Sequence, residues 1–222
     1  MHIEPGFVAP AKVMMANVGA IGVLTWAAKE HIKTLIREPW APLKVAAAAV
    51  FFTLFMQSFH MPVGPSELHF VGAMAMYLTL GFIPTLLGFA IGLGLQGLVF
   101  EPADLVHLGV NSLSLIVPLV GVHYAAGRKL FDQNLKRRLS LGRIIGLDAL
   151  YYGGVTAMVG FWLAIGEVAT PLSAWLTFAS SYLALVVVEP IVTYGAVRLL
   201  KRHEDTGLVS RLFAVRGLSL AR

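Results

Sequence analysis

Polar positions in this chain come in short bursts and apolar positions in long runs. Seven apolar stretches stand out, over roughly 8–28, 44–59, 69–83, 84–100, 109–127, 143–165 and 172–199. A helix needs about 20 mostly apolar residues to cross the hydrocarbon core of a bilayer. The runs are continuous rather than alternating, which predicts helices and not the strands of a barrel. The third and fourth follow one another almost without a loop at Phe82-Ile83-Pro84. The pattern therefore predicts an all-α, polytopic integral membrane protein with about seven transmembrane helices. Residues 1–222 form one membrane domain: a short segment over 1–7, spans within 8–199, and a basic tail over 200–222.

Composition removes the alternatives. Of the 222 residues 57% are hydrophobic and 13% charged, whereas a soluble domain carries about a quarter charged residues. The net charge of +5 does not indicate a nucleic-acid partner, because the basic residues are confined to a few connections. Lys29, Lys33, Arg37 and Lys44 lie in the first, and Arg128, Lys129, Lys136, Arg137, Arg138 and Arg143 in RKLFDQNLKRRLSLGR, read as a helical loop. Lys201, Arg202, Arg211, Arg216 and Arg222 lie in the tail. The loops MPVGPSEL, EPADLVHL and GEVATP hold no Lys or Arg but carry Glu67, Glu101, Asp104 and Glu167. The positive-inside rule then places the N-terminus outside and the C-terminus in the cytoplasm, in a bacterial cell membrane.

Candidate chemistry is narrow. The chain has no cysteine, so metal ligation falls to nitrogen and oxygen donors. The methionines are scattered through apolar stretches and read as packing. His31, His123 and His203 read as solvated or interfacial residues of the inner side. His2, His60, His69 and His107 all fall at or near the outer surface, where clustered imidazoles suit Ni, Co, Cu or Zn. The opening MHIEPG sharpens this. A free Met1 amine, the His2 amide nitrogen and the His2 imidazole close two fused chelate rings in one plane. One further imidazole completes a four-nitrogen square. Amide deprotonation favours polarising late first-row ions over Mg or Ca. Within the spans, the amides Gln96 and Asn111 need partners. Asp148 and Glu189 are functional suspects, although Glu189-Pro190 also reads as a kink near the inner surface.

The segment SFHMPVGPSELHFVG, residues 58–72, carries a resemblance. With MHIEPG, LGLQGLVF around Gln96 and Leu108-Gly109-Val110-Asn111, it resembles the CbiM/NikM substrate-binding (S) components of cobalt and nickel energy-coupling-factor transporters. Members open on Met-His-Ile and carry Asn-Phe-Pro-Val, then Gly-Thr-Ser-Gly-His-Leu-x-Gly. Here His60-Met61-Pro62-Val63 and Gly64 to Gly72 stand in those places, with one residue fewer between Pro62 and His69, and His60 in place of the asparagine. The resemblance covers most of residues 1–120.

The resemblance implies that Met1, His2 and His69 hold Co(II) or Ni(II), the transported substrate, with no organic cofactor. His60, Glu67, Gln96, His107 and Asn111 are candidates for additional ligands or for groups that orient the ligands. It further implies no enzymatic activity and a role in metal supply to cobalamin biosynthesis. The implied partners are a transmembrane coupling (T) component, two ATPase (A) subunits and, in some systems, a small accessory membrane subunit, all amid membrane lipid. Two other readings compete: an intramembrane metal-dependent enzyme, which would usually show paired histidines on one helix, and an S component for an organic vitamin, for which the His2 chelate has no purpose.

Overall fold

The computed structural model describes residues 3, 6–63, 66–132 and 138–221, with the backbone alone at 30, 31 and 34. Eight α-helices are described: α1 Pro10–Arg37, α2 Ala41–Ser58, α3 Ala73–Leu80, α4 Phe82–Val99, α5 Leu108–Ala125, α6 Leu141–Ala164, α7 Leu172–Arg202 and α8 Gly207–Leu212. Four short strands join them: β1 His60–Val63, β2 Ser66–His69, β3 Arg138–Leu139 and β4 Ser219–Leu220. Six helices are long and apolar enough to cross a membrane, in α1, α2, α4, α5, α6 and α7. The protein is a multi-pass membrane protein.

The expected third span differs. Residues 69–83 do not form one helix, because β2 runs to His69 and α3 has only 8 residues, about 12 Å at 1.5 Å per residue. Glycines set its limits: Gly72 at φ 64° opens it and Gly81 at φ 97° closes it, conformations that L residues with side chains rarely adopt. A Cβ on Gly72 would also lie 2.7 Å from Phe51 Cε1. The far end of α3 still reaches the basic end of the molecule, since Leu80 to Pro84 line one cavity with Glu38, Lys44, Arg128 and Ala214. In place of one long helix, these residues form an extended stretch followed by a half-length helix.

α4 packs against α2 and α5, α1 packs on α5, and α6 joins α5 to α7. Their shared core contains Phe52, Tyr77, Phe89, Ile116, Tyr151 and Phe178. The α1–α5 contact is close at Gly109, where a Cβ would fall 2.5 Å from the Asn17 Cα. Asn17 Oδ1 accepts from the Gly109 amide at 2.8 Å, satisfying one of the first N–H groups of α5. On the outer flank Lys12 Nζ meets Glu167 Oε1 at 2.9 Å, an exposed pair of little energetic weight.

Three further expectations need correction. The basic 128–143 segment is not a helical loop in its described part. It holds a 3₁₀ turn at Gly127–Leu130, strand β3 and the start of α6. The tail packs on the body: β4 pairs in parallel with β3, the Ala214 amide donates to the Thr79 carbonyl at 2.7 Å, and Val215 and Leu218 are buried. His123 is a packed residue, stacked on Phe82 at 3.8 Å between centroids and bonded to the Tyr77 hydroxyl at 2.9 Å. Glu189 is no inner-surface residue. It is fully buried in the middle of α7, accepts from the Tyr152 hydroxyl, and faces the amides of Gly72, Ala73 and Met74 at the N-terminus of α3. A carboxyl there complements the orphan donors and the dipole of that helix.

Candidate metal centre

The centre is built on a hairpin between α2 and α3. β1 and β2 pair antiparallel with His60 opposite His69 and Val63 opposite Ser66. The hairpin is fastened at its base: the Phe70 amide donates to the Phe59 carbonyl at 3.0 Å, and Phe55 packs against both rings. α7 lies behind both strands. On the other edge of β2, Ile3 forms an antiparallel bridge with Ser66. β2 is thus the middle of three extended segments, and the third is the beginning of the chain.

Ile3 is held on every side. It is fully buried, its amide donates to Asn111 Oδ1 at 3.2 Å, and its carbonyl lies 3.0 Å from His107 Nδ1. Both partners come from the start of α5, the region that Asn17 caps. His107 and Asn111 are themselves buried, so their polar atoms need internal partners. Ile3 provides them.

Three imidazoles share one arrangement. His60 Nδ1 lies 3.1 Å from the Gln57 carbonyl, His69 Nδ1 3.1 Å from the Met56 carbonyl, and His107 Nδ1 3.0 Å from the Ile3 carbonyl. A carbonyl oxygen only accepts, so each Nδ1 carries a proton, and at His69 Nε2 is engaged as well, by the Glu67 carboxyl. Such a carbonyl partner is how proteins orient a ligating histidine. His69 is buried and His60 exposed, with ring centroids 5.8 Å apart. His69 Nε2 meets Glu67 Oε2 at 2.9 Å.

Of the residues expected at the site, the structure brings together His60, Glu67 and His69 on the hairpin, and His107 and Asn111 around Ile3. Met1 and His2 lie outside the described residues. Gln96 is buried in α4 with Oε1 lacking a partner among the described residues, and no described bond ties that oxygen to the hairpin. Among the described residues, no three of His, Asp and Glu converge closely enough to hold an ion alone. Three contributors escaped the sequence reading. Asn17 is an amide within an apolar run, the same signal that pointed to Gln96 and Asn111. Ser66 and Ile3 gave no signal, because their roles depend on strand pairing between distant segments.

A family model described as "Cobalt uptake substrate-specific transmembrane region", CbiM, matches residues 2–206. The chain belongs to the CbiM family. A relative in Haemophilus influenzae named for metal transport is 31% identical over 163 residues, covering 72% of this chain and 75% of that protein. A crystal structure of a transition metal transporter has the same fold, with a TM-score of 0.72 at 21% identity over 94% of this chain and 96% of the other. A truncated transition metal transporter gives 0.70 at 23% identity over 91% of this chain and 99% of the other. As a CbiM-family member the protein is a membrane component of metal transport, and it is not an enzyme.

Proposed function

We propose that the protein captures Co(II) or Ni(II) at the outer face of the membrane and delivers the ion inward. In this reading the Met1 amine, the His2 amide nitrogen, the His2 imidazole and His69 Nε2 form a planar four-nitrogen set. A coupling component and two ATPase subunits supply the energy, in some systems with a small accessory membrane subunit, and the chain itself hydrolyses nothing. The N-terminus lies outside and the C-terminus in the cytoplasm, with the basic segments on the inner side.

One observation carries the reading: Ile3 is fixed against β2 by Ser66, Asn111 and His107. Residues 1 and 2 adjoin Ile3 in sequence and so lie within about 7 Å of it, and the strand that anchors Ile3 is the one that carries His69. His69 has Nδ1 engaged by the Met56 carbonyl and Nε2 by Glu67, the partner that an arriving ion would displace. Among the described residues no three of His, Asp and Glu converge on an ion, and the amine, amide and imidazole of residues 1 and 2 are the donors nearest in sequence to Ile3.

The test is to insert one glycine between Met1 and His2 and titrate untagged protein with Co(II) and Ni(II) by calorimetry. The insertion enlarges the chelate and should abolish tight binding. Unchanged affinity would remove Met1 and His2 from the site and leave His60, His69 and His107 as its donors.

A further inference from the structure

We infer that Asp148 and Glu189 form a proton-binding site inside the membrane domain, between the hairpin and the basic end, with the proton carried by Asp148 and the negative charge by Glu189. The inference goes beyond the capture reading above and does not depend on which residues hold the transported ion.

Asp148 lies in α6 and is fully buried, and neither of its carboxyl oxygens has a hydrogen-bond partner among the described residues. No described Lys, Arg or His pairs with it, while the like charge of Glu189 acts on it. An ionised carboxyl with no donor, no counter-ion and a second carboxyl nearby is the costliest state such a group can adopt. A buried group in that position takes up a proton instead.

Glu189 is placed differently. It accepts from the Tyr152 hydroxyl and faces the amides of Gly72, Ala73 and Met74 at the start of α3. Those donors and the dipole of α3 support a negative charge. Two carboxyls close together in apolar surroundings do not both ionise, and their surroundings decide which keeps the proton. Here the unsupported one is Asp148.

The other elements packed around the pair leave this assignment intact. α6 contributes the Tyr151 and Tyr152 hydroxyls, and α7 contributes Tyr182. α4 brings the Phe89 ring against Tyr151. α5 brings Pro118 up to Gly154 and turns its imidazole, His123, to Tyr77 of α3. The tyrosines also connect the pair to the hairpin. Tyr182 faces the His69 amide, and its ring lies 4.9 Å from that of Tyr152, which lies 5.2 Å from that of Tyr151. Seven residues of α7 separate Tyr182 from Glu189, about 10 Å. A proton that passed from Asp148 to Glu189 would withdraw the charge facing α3, the helix that follows the hairpin.

Infrared spectroscopy of the full chain in detergent tests this, with melting temperatures measured alongside. At neutral pH the wild type should show the carbonyl stretch of an un-ionised carboxyl. The band should move when the protein is made with ¹³C-labelled aspartate, which assigns it without any substitution, and should be absent from Asp148→Asn. That variant, a neutral isostere, should melt as the wild type does at neutral pH, whereas Glu189→Gln should melt lower. Folding binds a proton that the unfolded chain releases, so wild-type stability should fall as pH rises above neutral, the unfolding constant growing about tenfold per pH unit, and Asp148→Asn should lose that slope. A band that ignores labelled aspartate and disappears in Glu189→Gln would put the proton on Glu189 and overturn the assignment. No band in the wild type would also overturn it. If sodium chloride but not choline chloride then raised the melting temperature, the pair would hold a metal cation in place of a proton.

Discussion

His69 shows what individual side chains contribute. Its ring is buried, its Nδ1 proton is committed to the Met56 carbonyl, and its Nε2 is aimed along β2. The orientation exists before any ion arrives, which lowers the cost of binding one. If His69 is a ligand as proposed, replacing it by alanine should cut metal affinity by at least about tenfold in calorimetric titration, because loss of a ligand exceeds the usual cost of losing an orienting partner. Asn111→Ala should also weaken binding, by about tenfold, although its oxygen reaches only the Ile3 amide. Equal affinity in that variant would show that the Ile3 bond does not position the site. Protons compete for the amine, the amide and the imidazoles, so apparent affinity should rise with pH between about 6 and 8. Titrations at several pH values measure that slope, and a flat profile would argue against imidazole and amine donors.

At the level of elements, the apolar runs specified the long helices well and the hairpin poorly. Six of the expected spans correspond to helices because about 20 consecutive apolar residues leave the backbone no other solution in lipid. Residues 69–83 are equally apolar, yet Gly72 and Gly81 cut them to a half-length helix whose N-terminal amides face Glu189. Hydropathy does not register such a carboxyl, because its partner is more than a hundred residues away. The candidate histidines were legible as a cluster on one side. Their tautomers, and the seating of Ile3 between α5 and β2, were not, since these depend on contacts between segments far apart in sequence. The Asn17–Gly109 contact offers a test of this support. Gly109→Ala drives a methyl group into the α1 backbone and should destabilise the fold by about 1–3 kcal/mol, read as a lower melting temperature in detergent. An unchanged melting temperature would mean that α1 and α5 separate at little cost.

For the whole molecule, the fold matches those of solved metal transporters at 21–23% identity, which is expected where helix packing, rather than any particular residue, defines the architecture. The end opposite the hairpin is closed by the chain's own C-terminal segment. β4 lies beside β3, and Ala214 is bonded to Thr79 at the foot of α3. Deleting residues 207–222 should therefore lower thermal stability while leaving metal affinity unchanged, as the two ends share no ligand. A deletion form that lost metal binding would instead reveal communication along α3.

The bridge between Ile3 and Ser66 has a consequence for timing. The three attachments of Ile3, to Ser66, Asn111 and His107, form a latch of a single residue. In the proposed site, an ion held by the two residues before that latch would not take them away while it is shut. Its residence time is then governed by how often one buried isoleucine leaves its seat. In that reading, whatever unseats Ile3 would also loosen the proposed site, and the rate of that step would set how fast an ion can leave.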